Sequence, residues 1–281
     1  MTLEFSRWLT TLLPKGQGRG LVIAGSAIVG FIVFLSIFAP LLTKYSPTQP
    51  VGLSMVPPSI DHPMGTNTLG YDLYSRILYG GRTILIVVVL STFLSMICGM
   101  PLGLLSGYLG GGVDRSLSVV MDSIYVFPGL IIAIAMAAVL GPGIANVAVA
   151  IAIVYIPTYF RMIRGHTLSI KEQRYIEAVR SIGAKTRTIL FSHILPNVLP
   201  TLIVVFSLNV ADAILTEAGL SFFGLSVTAP TPDWGYDLRA GQSFLPSGSW
   251  WLITFPGLMI LLLAIGFSLL GDGLNEVTSH G

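Results

Sequence analysis

Apolar residues in this chain come in blocks too long, and too free of charge, to be segments of a soluble core. A helix needs about 20 residues to cross ~30 Å of hydrocarbon, and by that ruler the blocks divide into six predicted spans. The first is 21–42, which carries no charge. Arg7, Lys15 and Arg19 precede it as in a secretory signal, but the block is longer than the ~7–15 residues of a cleavable core, so it reads as a retained helix. The second span falls within 83–109, where Gly99, Pro101, Gly103 and Gly107 suggest a small-residue face for close helix contact, or a kink. Residues 123–160 are uncharged and too many for one helix, and Gly141, Pro142 and Gly143 split them into spans three and four joined by a tight turn. The fifth span is 198–215, with Pro200 near its first turn, where a missing donor does little harm. The sixth is 251–270, opened by Trp250 and Trp251 as interfacial anchors.

Composition agrees with this pattern. Of 281 residues 53% are hydrophobic and only 10% charged, with a mean hydropathy of +0.81, whereas a soluble chain carries about a quarter charged residues. The net charge of +2 is too small to suggest a nucleic-acid partner. One cysteine, Cys98, excludes an internal disulfide, and its apolar surroundings predict a small buried hydrophobe. The basic residues alternate between loops. Arg7, Lys15, Arg19, Arg115, Arg161, Arg164, Lys171, Arg174, Arg180, Lys185 and Arg187 fall on one side, against Lys44, Arg76, Arg82 and Arg239 on the other. The positive-inside rule then places both termini in the cytoplasm.

This topology leaves three polar segments: 43–82 and 217–250 outside, and 161–197 inside. The inner one reads RMIRGHTLSIKEQRYIEAVRSIGAKTRTILFSHILPN. Ser169 with Glu172 three residues on has the form of a capping box. Ile176, Val179 and Ile182 then recur at helical spacing, and Gly183 supplies a stop. This predicts an amphipathic helix of about 13 residues, then a second short helix from Lys185 to Leu195 before Pro196. Such an element either lies in the lipid interface or is a rigid knob for a groove on a soluble partner.

Glu177, Ala178, Gly183, Ala184 and the run His193-Ile194-Leu195-Pro196-Asn197 resemble the EAA loop of importer-type ABC permeases, with Val179 in place of the second alanine. The segment His62-Pro63-Met64-Gly65-Thr66, Leu69-Gly70, Asp72, Ser75-Arg76, Gly80 and Arg82 resembles the C-type subunit of dipeptide, oligopeptide and nickel permeases, and departs from it at Asn67 and Tyr71. Gly219 to Leu225, Pro230, Pro232, Trp234-Gly235, Phe255-Pro256-Gly257 and Leu270 to Leu274 resemble the same group. The resemblance implies an all-α membrane protein of the type I ABC importer permease fold. Its parts would be a cytoplasmic tail (1–20), the first span (21–42), an external segment (43–82), a permease core (83–274) and a second tail (275–281), in a bacterial inner membrane. It implies a second permease subunit in a heterodimer, two cytoplasmic ATPases and an external solute-binding protein, with ATP and magnesium used by the ATPases and no cofactor on this chain. It assigns coupling to 167–186, with Thr167, Glu177, Ala178, Gly183, Ala184 and Pro196 as the residues concerned. An intrahelical pair of Glu177 with Arg174 or Arg180 is the plainer reading of that acid.

No G-x-x-x-x-G-K-[ST] stretch occurs, and none of Lys15, Lys44, Lys171 and Lys185 follows a glycine, so ATP hydrolysis is expected from a partner. The glycines of 107–112 and 141–143 read as turns rather than phosphate cradles. Asp122, at the start of span three, and Asp212 and Glu217, toward the end of span five, approach the membrane interior and are candidates for the solute pathway; an interface position paired with backbone or headgroup is the alternative. The external segment 62–82 reads as an amphipathic helix on the outer surface, and 217–250 as a cap, a receptor contact or a re-entrant loop. His62, His166, His193 and His280 lie in four separate segments, which speaks against a membrane-embedded enzyme and favours peptides over nickel as cargo. A secondary transporter is a remoter alternative, since internal repeats are lacking.

Overall fold

The computed structural model describes residues 17–279. The expected tail residues Arg7 and Lys15, and His280, lie outside the described residues. The helices are α1 (Gln17–Ile37), α2 (Ala39–Leu42), α3 (Leu73–Leu109), α4 (Gly111–Tyr125), α5 (Gly129–Leu140), α6 (Ile144–Lys171), α7 (Arg174–Ser181), α8 (Thr186–Thr188), α9 (Leu195–Phe222), α10 (Trp234–Gln242) and α11 (Trp251–Ser279). Five of these are long and apolar enough to cross a membrane, and α4 with α5 makes a sixth candidate bent by 88°. The bend falls at Pro128, which caps α5. Span three is therefore a bent pair of helices, by length and composition either a broken span or a re-entrant loop, a feature that charge counting over 123–160 could not reveal.

The expected small-residue face is what holds the bundle centre together. A Cβ on Gly99, Gly103 or Gly107 would stand 2.7 Å from α6 atoms at Ile156 and Tyr159, at Phe160 and at Thr167 respectively. α3 and α6 thus touch backbone to backbone, and Ser95 Oγ donates across the seam to the Ala152 carbonyl at 2.9 Å. A second seam joins α1 to α11, where a Cβ on Gly25 would meet the Gly266 carbonyl at 2.6 Å. In lipid, where burial gives helices little reason to associate, close contact of this kind supplies the attraction. Cys98 instead lies on the outward face of α3 and is exposed, because Gly99 beside it takes the buried position.

Several expected elements differ. Residues 73–82 are the first turns of α3 and largely buried, not a separate surface helix. Asp72 starts α3, its carboxylate accepting from the Ser75 amide at 2.8 Å. Ser169 and Glu172 form no capping box: Ser169 is inside α6 and Glu172 is its C-cap. The following helix is accordingly eight residues long, begins at Arg174 behind Gln173, and has no side-chain cap. The predicted helix at 185–195 is α8 followed by a π-helical turn, Ile189–Ile194, that runs into α9. α9 extends to Phe222, past the expected end of span five at 215. Trp250 is half exposed, but Trp251 is buried and donates to the Thr66 carbonyl at 3.4 Å.

Candidate functional site

The element to which the EAA-like residues belong is α7, and its seating follows from its sequence. Ile176 is fully buried in a cluster with Tyr159, Ile163, Ile170, Ile189, Leu190 and Ile194. Glu177 and Ala178 face away from that cluster and are exposed. The helix ends in a Schellman motif: Ala184 N donates to Val179 O at 3.3 Å and Gly183 N to Arg180 O at 3.0 Å, with Gly183 at φ 83°. That left-handed residue admits glycine with no penalty. Val179 and Ala184, the C3 and C″ positions, both pack on the Ile176 cluster, the apolar contact such a cap calls for. Valine at 179 therefore extends the buried face.

α7 is tied to α9 as well. Asn197 Nδ2 donates to the Tyr175 hydroxyl at 3.2 Å and to the His193 carbonyl at 2.6 Å. Pro196 is exposed beside it, in the first turn of α9. Arg180 stacks on the Tyr108 ring of α3, 5.7 Å from the centroid. Glu177 has no ion pair among the described residues, with neither Arg174 nor Arg180 engaging it. Thr167 stands apart from this surface. It is fully buried against Gly107, and its hydroxyl donates to the Ile163 carbonyl at 2.7 Å. Lys171 Nζ reaches the Gly107 carbonyl at 3.0 Å. These two residues support the platform beneath α7.

The three acids singled out for a pathway have three different surroundings. Asp122, on α4, is exposed and pairs with Arg161 at 2.7 Å. Asp114 on the same helix pairs with Arg164, so two ion pairs fasten the first half of the bent pair along α6. Glu217 is fully buried. Its Oε1 accepts from Ser226 Oγ at 2.9 Å and its Oε2 has no partner. Asp233, the N-cap of α10, lies against it. Asp212 is exposed on α9 and, with Asn209 and Thr216, lines a cavity of about 430 Å³. Tyr155 and Thr158 of α6 and the break between α4 and α5 complete the wall. Of the three acids, only Asp212 lines this cavity.

Sequence reasoning missed the buried lock at the opposite end of the molecule. Arg76 is fully buried and its Nε donates to both Asp237 oxygens, at 2.8 and 3.0 Å. Its Nη1 reaches the carbonyls of Pro47 at 3.0 Å and Pro230 at 3.1 Å, and its Nη2 that of Thr231 at 3.4 Å. Burial pushes the Asp237 carboxyl above its ordinary value, and Arg76 pulls it back. Trp234 is buried beside them and donates to the Ile77 carbonyl at 2.8 Å; Gly80 leaves room for its ring, since a Cβ there would stand 2.8 Å from it. The Arg76 and Trp234 motifs were read from sequence as separate marks of one subfamily. The Arg76–Asp237 pair that joins the two segments spans 161 positions and has no local signal. At the departures, Asn67 Oδ1 closes a turn by accepting from the Leu69 and Tyr71 amides, each at 3.0 Å, and the Tyr71 ring lies under Arg76.

Residues 99–279 match the family described as the inner membrane component of binding-protein-dependent transport systems. Over 258 residues, 91% of this chain and 84% of the relative, the sequence is 40% identical to a dipeptide transport system permease protein DppC of Alkalihalophilus pseudofirmus. It is 43% identical over 219 residues, 78% of this chain and 72% of the relative, to a glutathione transport system permease protein GsiD of Pectobacterium atrosepticum. Among solved structures it is similar to an inward-facing form of the MetNI methionine ABC transporter. That match has a TM-score of 0.59 and 20% identity, and covers 73% of this chain and 96% of the other.

Proposed function

We propose, for a chain that belongs to the family of inner membrane components of binding-protein-dependent transport systems, that it forms half of the pathway of an importer for dipeptides or similarly small peptides. Cargo of that chemistry is carried over from the relatives, named as dipeptide and glutathione permeases. The chain contributes no ATP site. Two cytoplasmic ATPases supply hydrolysis, a second permease completes the pathway, and an external receptor delivers the solute. Both termini lie in the cytoplasm. Residues 83–274, with 73–82 added as the start of α3, act as the permease core, followed by the tail at 275–281.

α7 is the force-receiving element on this reading. The observation that carries it is the division of an eight-residue helix into a fully buried anchor, Ile176, and an exposed Glu177 and Ala178, with no ion pair to Glu177 among the described residues. A helix seated in this way presents a rigid face to a groove, and Glu177 is placed to accept charge-assisted bonds from basic groups there. Gly183, Ala184 and Pro196 set the turn and the entry to α9. Thr167 supports the platform from inside. Asp212 belongs to the pathway, while Asp122 and Glu217 find partners within the chain. The test is reconstitution in proteoliposomes with the second permease, the ATPases and the receptor. Dipeptide uptake is expected only with ATP and receptor both present, and uptake by this chain alone without ATP overturns the proposal.

A further inference from the structure

Asp212 has no ion-pair partner among the described residues, yet it sits on a helix apolar enough to span a membrane. A carboxylate in such a helix faces water or a counter-charge, because lipid exposure costs at least a few kcal/mol. The cavity it lines has about 430 Å³, within the ~300–1,000 Å³ usual for small-molecule sites. Three residues before Asp212, Asn209 lines the same cavity, is 4% exposed, and carries an Nδ2 with no hydrogen-bond partner. Residues at i and i+3 of a helix lie on one face, about 5–6 Å apart at Cβ. The buried Tyr159 hydroxyl lies beside the Asn209 amide, yet its Nδ2 makes no hydrogen bond; a buried donor left so is expensive, and a ligand carbonyl in the cavity would satisfy it. Across the cavity, the Tyr155 hydroxyl is already engaged with Thr216 Oγ1 at 2.9 Å and stiffens the wall.

We infer that Asn209 and Asp212 form a subsite for the amino end of a peptide in transit. The Asp212 carboxylate takes the α-ammonium, and the Asn209 amide donates to the first peptide carbonyl. An α-ammonium and its neighbouring carbonyl are separated by two carbons, so one aminoacyl unit spans the distance between two side chains one helical turn apart. An isolated cation would satisfy Asp212 and leave Asn209 without an acceptor, whereas an aminoacyl group satisfies both. The subsite is open to solvent on the Asp212 side. Its hold is therefore weak, as passage requires, since a transported species must leave as readily as it enters.

This inference rests on the peptide-importer reading and is tested separately from it. The full complex is placed in nanodiscs with Thr158→Cys, and alkylation of that thiol by a hydrophilic reagent is followed by mass spectrometry of this chain. Dialanine at about four times its Kd is expected to slow labelling about fivefold, and N-acetyl-dialanine to leave it unchanged. Adding Asp212→Asn removes the difference between the two peptides, and Asp212→Glu keeps it, with the second permease and the ATPases co-purifying in both. Equal protection by both peptides, no protection, no labelling at position 158, or discrimination that survives Asp212→Asn overturns the subsite. Loss of the second permease from purified Asp212→Asn complex overturns it too, by showing that the carboxylate pairs with that subunit. Failure of the underlying reading shows elsewhere, as wild-type complex without receptor-stimulated ATP hydrolysis or ATP-driven uptake.

Discussion

Replacing Arg76 with alanine removes two bonds to a buried carboxylate and three to carbonyls, and leaves Asp237 buried with Asp233 as a neighbouring like charge. Breaking a buried pair from one side costs about 3–5 kcal/mol. Asp237→Asn is milder, at about 1.5–3 kcal/mol, because the side chain still accepts one bond and the three carbonyl contacts survive. The double variant has no uncompensated acid, so it should be less destabilised than the sum of the singles by about 1–3 kcal/mol. Unfolding free energies in mixed micelles measure all three. The pH dependence adds a second readout. With Arg76 gone, burial and the like charge of Asp233 act on Asp237 against only the Asn67 side chain, so its native pKa rises further above the ordinary 3.8 and the native state binds more protons than the unfolded state. Stability of Arg76→Ala then falls as pH rises from about 4, and the defect is smaller at pH ~5 than at pH ~8. Additive single effects, or a defect that grows on acidification, would refute the argument.

Ile176→Ala should destabilise the seat of α7 by about 2–5 kcal/mol and reduce co-purification of the ATPases, whereas Glu177→Ala should weaken that association and leave thermal stability unchanged. Gly183→Val forces a β-branched residue into φ 83° and costs at least about 1–2 kcal/mol, read as lost receptor-stimulated ATP hydrolysis. Gly103→Leu pushes α3 from α6, since even a Cβ would be 2.7 Å from the Phe160 carbonyl; little folded protein is expected by size-exclusion in detergent, while Gly30→Leu, with open space at its Cβ, should behave as wild type.

The spans were legible because lipid imposes a length and excludes charge, and both are read residue by residue. The α3–α6 seam was legible for a related reason: Gly99, Gly103 and Gly107 repeat every four residues, the period of one helical face. What failed was local punctuation overruled by tertiary packing. Arg76 and Arg82 look like the end of an apolar span, yet each has a built receptor, Arg82 donating to the Ser36 and Ile37 carbonyls at 2.6 and 2.7 Å. Ser169 and Glu172 have capping chemistry, but Ile170 is buried on the α7 platform and keeps that stretch inside α6. In the candidate site, periodicity placed Ile176 and Val179 on the anchored face of α7, but Ile182, expected on the same face, is exposed, because the helix ends at Ser181 and Ile182 is its cap. The place of Thr167 did not follow from periodicity, because its burial depends on Gly107 sixty residues earlier.

α3 has 37 residues, which at 1.5 Å each makes a rod about 55 Å long, against ~30 Å of hydrocarbon. One end is clamped by Asp72 and Arg76, and the other meets Thr167 and Lys171. A rod pivoting at its centre moves its ends in opposite senses: a tilt of about 10° carries each end about 5 Å. Were α3 to turn as one rigid rod, a small displacement beneath α7 would arrive on the far face reversed in direction and equal in size, as in a seesaw.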